Sequence, residues 1–316
     1  MSDYLFANGS VKSRETKILD CNKIIRLENV KKDEFMKVLY DSGFGTDQTN
    51  LESLINSEEV KTKNFLKDIA VDRDLINIFF VAIDAKNIKM LYKYKIFGQG
   101  NFVFTSNGSY DEDELKTAIL DNKDSQNKHL NFLVSSINNQ LIEGITPRKL
   151  SMLIDQIIFD YVIKEASKKS RSLLCYLKNK IDFINFLTMI RIKRLNWDIS
   201  ELEEMLFLGG NADLNVFKGA FNLKFENMVN IFKTREDKEI YRIFIKLLDT
   251  YLKEFNVEKL ELEINQNILN IMSKYKNDNF ELGPIIYYYL EKQAEISNIR
   301  YVYTTDNVNI SDLLTY

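Results

Sequence analysis

Proline is almost missing from this 316-residue chain: two occur, Pro147 and Pro284, beside 11 glycines. Helix breakers at that density leave long helices favoured over sheets. Histidine occurs once, His129, in "KDSQNKHLNFL", and cysteine twice, Cys21 and Cys175. One imidazole gives too little support for a histidine-based metal cluster or a Ser-His-Asp relay, so His129 is expected on a surface helix. The two cysteines have no metal-ligand spacing and read as free thiols of a reducing compartment. No stretch reaches the roughly 18 apolar residues that a membrane span needs; the most apolar, "LINIFFVAID", reads as a buried helix. The N-terminal "MSDYLFANGSVKSRE" has no apolar run flanked by basic residues, so neither signal peptide nor anchor is expected and the expected location is the cytoplasm. Charge of one sign is not in excess either. With 43 basic against 46 acidic residues the net charge is −3, which excludes a global field for nucleic acid and leaves binding to local patches. No phosphate loop accompanies the glycines at Gly98 and Gly100 or at Gly209 and Gly210, so both pairs read as helix stops and turns.

What is present is helical periodicity. Hydrophobic residues make up 45% of the chain, enough for a sizeable core. "RKLSMLIDQIIFDYVIKEA", "ISELEEMLF" and "EDKEIYRIFIKLLDTYLKEF" space apolar residues by three and four; the last puts Ile240, Phe244, Leu247, Leu248 and Tyr251 on one stripe. Thr49 with Glu52 and Ser200 with Glu203 have the capping-box pattern, and Thr146 before Pro147 reads as an N-cap. The expected fold is all-α. "GQGNFVFTSNGSY" is the one candidate for a long loop or small hairpin. Of the run Tyr287 to Tyr289 one or two rings are expected in the core, and Trp197 is expected to act as a structural anchor.

A long-period repeat runs through these helices. "DAKNIKMLYKYK" from Asp84, "DFINFLTMIRIK" from Asp182 and "EISNIRYVYTTD" from Glu295 align on Asn87, Asn185 and Asn298, each with an acid three residues earlier. A basic residue follows six later in the first two, Lys93 and Arg191; the third has Thr304 there and Arg300 nearer. Asn8, followed by Arg14, fits in part, with Leu5 in place of the acid. Short amphipathic segments follow: "KKDEFMKVLY", "YDEDELKTAIL", "DISELEEMLF" and "NISDLLTY". The asparagines lie 79, 98 and 113 residues apart, each interval the size of a small helical domain and too long for a TPR or HEAT array. The expected division is 1–86, 87–184 and 185–316, with helices shared at the boundaries. Acid and Asn at i and i+3 lie on one helix face, and Asn inside a helix costs about half a kcal/mol relative to Ala. Placing it there three times points to a polar contact between helices. The basic groups Lys89, Lys93 and Lys95, with Arg191, Lys193 and Arg194, and with Arg14 and Arg300 in the less regular copies, form candidate partner contacts, although charge runs are ordinarily solvated faces.

"YLFANGSVKSRETKIL", "DAKNIKMLYKYK", "DFINFLTMIRIKRLN" with the "LGGN" after it, and "GPIIYYYLEKQAEISNIRYVYTTDN" stand in the order seen in one family. On these stretches the sequence resembles the C subunit of the A-type and bacterial V-type rotary ATPases, itself similar to the d subunit of the eukaryotic enzymes. It departs from that pattern in the third copy, which has no strong basic tail beyond Arg300, and in "FGQGNFVFTSNGSYDEDE". The resemblance implies three similar bundles in a pseudo-threefold, funnel-like body. It further implies a non-catalytic protein, without cofactor or metal, on the cytoplasmic face of the membrane. Its partners would be the proteolipid rotor ring and the central shaft, between which it transmits torque for ATP-linked proton or sodium transport. A connector of that kind needs rigid side-by-side helices and needs no membrane span of its own. The alternative is a helical scaffold or regulatory adaptor for another protein. An enzyme ranks behind both, since no catalytic constellation emerges.

Overall fold

Local capping chemistry sets where the helices begin. In the computed structural model, which describes residues 4–98 and 103–316, Asp20, Asn50, Asp72, Asn127, Thr146 and Asn256 each take a backbone N–H of the first helical turn on a side-chain oxygen. The helices so placed are α1 (Leu5–Glu15), α2 (Cys21–Arg26), α3 (Lys32–Asp41), α4 (Leu51–Ile69), α5 (Arg73–Phe97), α6 (Glu112–Ile119), α7 (Lys128–Gln140) and α8 (Pro147–Lys169). They continue with α9 (Arg171–Arg194), α10 (Ile199–Met205), α11 (Leu214–Phe221), α12 (Phe225–Lys233), α13 (Glu239–Glu254), α14 (Val257–Met272) and α15 (Gly283–Thr304). Among the described residues there is no strand, so the chain is all-α. Thr146 caps α8 with Pro147 in its first turn, as the sequence predicts. The other two caps differ by a residue or two. Asn50 caps α4 in place of Thr49, and Asp198 precedes α10 in place of Ser200. Each is the residue whose backbone is already extended at the turn.

The chain divides into two compact units, one of Met1–Leu39 with Ser172–Tyr316 and one of Tyr40–Arg171. In the second unit α5 lies along α8, with α4 and α6 against α5 and α7 against α8. The apolar run of α5 is buried, as its sequence predicts, through Leu75, Ile76, Ile78, Phe79, Phe80 and Val81. These face a helix whose own stripe is Leu150, Ile154, Ile158 and Val162, all at most 1% exposed. Gly98 ends α5 in the left-handed conformation, its N–H on the carbonyl of Tyr94. Residues 103–110 that follow are not helical; the "QGNF" part of the suspected hairpin, with Gly100, lies outside the described residues.

The first unit is built around α13, α14 and α15. Phe244, on the stripe expected for α13, stacks on Phe186 of α9 with ring centroids 4.8 Å apart and also meets Phe183, Phe217 and Phe232. Burial of these five rings together supplies much of what holds α9, α11, α12 and α13 to one another. From Gly283 to Ile299 α15 has no exposed residue, and all three of Tyr287, Tyr288 and Tyr289 are buried. A helix enclosed over most of its length reads without amphipathic period, and more of the tyrosine run is internal than expected. Trp197 is 43% exposed.

Candidate functional site

The repeated acid and asparagine perform the same task three times. Asn87 donates from its side-chain amide to the carbonyl of Thr105 at 2.8 Å and accepts the N–H of the same residue at 3.0 Å. Asn185 does so with Phe207, at 2.8 Å both ways. Asn298 does so with Leu314, at 2.9 and 2.8 Å. In each case a primary amide copies the edge of a β-strand and clamps one residue of the segment returning along the helix, 18, 22 or 16 positions later. The contact is therefore from helix to returning loop and not from helix to helix. Asn8, the partial fourth copy, donates to the carbonyl of Asp278 only, and its Oδ1 has no partner.

The acid one turn earlier takes the N–H groups at the end of that segment. Asp84 accepts from Ser109 at 2.6 Å, with the Tyr110 N–H close to the carboxylate. Asp182 accepts from the backbone of Asn211 and Ala212, both at 2.9 Å. Glu295 accepts from Leu19 at 2.6 Å. Tyr110, Ala212 and Leu19 each stand immediately before the aspartate at the start of a helix: Asp111 of α6, Asp213 of α11 and Asp20 of α2. The equivalent of α6 is thus α11, and α10 is an extra turn inside the second copy. The third copy draws its N–H from the opposite end of the chain, 276 positions away. Glycine is required where the first two acids meet the loop, since a Cβ on Gly108 or Gly210 would overlap Oδ1 of Asp84 or Asp182. Gly210 is there for that approach, not as a helix stop.

Burial dominates the electrostatics. Asp84, with no exposed surface, is pushed up to about 7 by desolvation, against the pull of the Ser109 and Tyr110 N–H groups and of Lys67 and Lys63. Asp182 is raised for the same reason, opposed by Ala212 and Asn211. Glu295 is held beside Lys292 in a buried ion pair. All three acids are buried, at most 1% exposed.

The basic flank divides in two. Lys95 and Lys193, each eight positions after the clamp asparagine, both cap a short helix: Lys95 Nζ donates to the carbonyl of Ile119, the last residue of α6, and Lys193 Nζ to that of Phe221, the last of α11. The structural repeat of the basic residues therefore falls at the eighth position, where the sequence pattern points to the sixth. Lys193 is also sandwiched between the rings of Phe221 and Phe225. Lys89 pairs with Asp155 at 2.7 Å and Arg191 with Glu261. Arg14 and Lys93 are half-buried, and Arg194 and Arg300 are exposed.

His129 sits on α7 with Nδ1 against the hydroxyl of Tyr161, beside a cavity of about 490 Å³ that Phe132 and Lys164 also line. Among the described residues no cluster of three or more metal-ligating side chains occurs, and no helix is long and apolar enough to cross a membrane.

Known proteins match this chain along nearly its whole length. The family model for the ATP synthase (C/AC39) subunit matches residues 7–311. The C subunit of the A-type ATP synthase of Methanosarcina acetivorans is 21% identical over 339 aligned residues, which take in 99% of this chain and 91% of that protein.

Proposed function

The chain belongs to the ATP synthase (C/AC39) subunit family, and from that premise we propose that it is the non-catalytic connector between the central shaft and the membrane rotor ring. In this role it transmits torque for ATP-linked proton or sodium transport, peripheral to the cytoplasmic face of the membrane. The observation that carries this reading is the clamp repeated at Asn87, Asn185 and Asn298. A part that passes torque must not let its loops slide along its helices, and each clamp fixes a returning segment by two buried or half-buried hydrogen bonds, to which Asp84 and Asp182 add an acid in the first two copies. Satisfied polar networks in a low-dielectric interior rigidify what they join. The three clamps would each belong to one helical bundle, with boundaries near Asn87 and Asn185. Of the basic flank, Lys93 and Arg194 are the groups we assign first to partner contact; Lys89, Lys95, Lys193 and Arg191, and in the less regular copies Arg14 and Arg300, are engaged within the chain.

Affinity purification of the tagged chain from native membranes tests the assignment. Recovery of proteolipid-ring and shaft proteins is expected, and their loss in a Lys93→Glu, Arg194→Glu double variant locates the contact. A preparation that brings down neither ring nor shaft removes the connector reading and leaves an adaptor for another protein.

A further inference from the structure

The enclosed stretch of α15 opens at one place. Between Gly283 and Ile299 the residues that are not buried are Leu290, Gln293 and Ser297, and spacings of three and four put them on a single stripe. All three line one cavity of about 390 Å³, walled on its other sides by Tyr176 and Lys180 of α9 and by Asn265 and Leu269 of α14. Each of these elements belongs to the first unit. Gln293 and Asn265 bring amides to the cavity, Ser297 and Tyr176 bring hydroxyls, and Lys180 brings an ammonium.

The charge there is of one sign. Among the described residues that line the cavity there is no aspartate or glutamate. Lys180 Nζ lies 3.4 Å from the Tyr176 hydroxyl and 5.5 Å from the centre of its ring, and no carboxylate of the described residues pairs with it. Lys89, Lys276 and Lys292, also half-buried or buried, each have a carboxylate. Arg300, engaged within the chain, stands at the edge of the same cavity and adds charge of the same sign. A concave site with cations, neutral donors and no acid attracts an anion.

We propose that this cavity binds a phosphate monoester, with the phosphate on Lys180 and the amides and the organic body on Leu269 and Leu290. The ammonium, two amides and two hydroxyls are more donors than the two oxygens of a carboxylate can use. A phosphate monoester offers three terminal oxygens and a charge of about −1.5 to −2 at neutral pH. The leucines make part of the wall apolar, which suits an organic ester better than bare phosphate, and the volume is that of a small-molecule site. Leu314, also at the wall, stays seated in its clamp with Asn298. The site lies within one chain and holds whether or not that chain is a connector.

Calorimetric titration of the full-length chain with phenyl phosphate is the test. A Kd of about 0.1 mM is expected. Lys180→Met is expected to weaken it by about tenfold or more, and Lys253→Met, which removes an exposed ammonium paired with Asp249, to leave it unchanged. Saturating phenyl phosphate is also expected to shield Lys180, and not Lys253, from acetylation by an N-hydroxysuccinimide ester, read by mass spectrometry. That measurement needs no variant and decides should Lys180→Met not fold. Vesicles of phosphatidylcholine with and without phosphatidic acid distinguish the source of the phosphate. Binding to the phosphatidic acid vesicles that depends on Lys180 assigns a lipid headgroup, and binding of the soluble ester alone assigns a free small molecule. Phenylacetate bound as tightly as phenyl phosphate, or Lys180 acetylated as fast with either phosphate as without, overturns the proposal.

Discussion

Asn185 and Phe207 exchange two hydrogen bonds, side-chain amide to backbone peptide, at 2.8 Å each way and out of contact with solvent. A buried peptide group that loses both partners at once has no water to turn to.

Asn185→Ala is therefore expected to cost about 2 to 4 kcal/mol, the desolvation penalty of an N–H and a C=O left unpaired. Urea unfolding followed by far-ultraviolet dichroism measures it. Asn8→Ala, which removes one contact from an amide already half used, is expected to cost less than half as much. Equal losses at the two positions would mean that the two-point clamp is not what Asn185 contributes.

Gly210→Ala and Gly108→Ala drive a methyl into the carboxylates of Asp182 and Asp84 and are expected to destabilise by roughly 2 kcal/mol or more, as overpacking does. Gly219, within α11, has open space where its Cβ would be, and Gly219→Ala is expected to raise stability by about 0.5 to 1 kcal/mol. Thermal midpoints of the three variants should fall on opposite sides of the parent.

Asp84 and Glu291 are both raised to about 7, by burial first in each case, with Glu15 adding to the second. Their ordinary values are 3.8 and 4.5. Between those values and about 7 the folded chain keeps protons that the unfolded chain has lost, so stability declines as pH rises through this window. The slope expected is about 1 kcal/mol per pH unit for each group. Unfolding midpoints at pH 5.5, 6.5 and 7.5 would show it, and Glu291→Gln should flatten it. An unchanged slope in that variant assigns the effect elsewhere.

Phe244→Ala opens a cavity at the meeting point of five other rings, Tyr241 among them, and is expected to cost about 3 to 5 kcal/mol. Loss of cooperativity in the unfolding of the first unit is expected with it.

Much of this was legible in the residues themselves. Apolar spacing marked α13 by Ile240, Phe244 and Leu248, and Asn in three helix interiors marked the clamps, because a poor helix former needs a partner to justify its place. The partners were not legible. Thr105, Phe207 and Leu314 give up backbone groups, which carry no residue signature, and Lys95 and Lys193 find carbonyls 24 and 28 positions on. Leu19, as a donor to Glu295, has no local signal at all. Thr49 and Ser200 fitted the capping box by type, and the turn geometry gave the capping bond to Asn50 and the N-cap position, without a side-chain bond, to Asp198.

The reach of Glu295 to Leu19 also orders events in time. Asp84 closes on Ser109 across 25 positions and Asp182 on Asn211 across 29, whereas Glu295 must find a residue 276 away. Loop closure over that distance costs about 2 kcal/mol more in chain entropy than over the shorter spans. On the ribosome the first two clamps can set as soon as their loops emerge, while Leu19 waits, its N–H wet, until α15 has been made. The third clamp is the last to close, and a chain stalled before Glu295 would carry two finished clamps and an N-terminal segment with nothing yet to hold it.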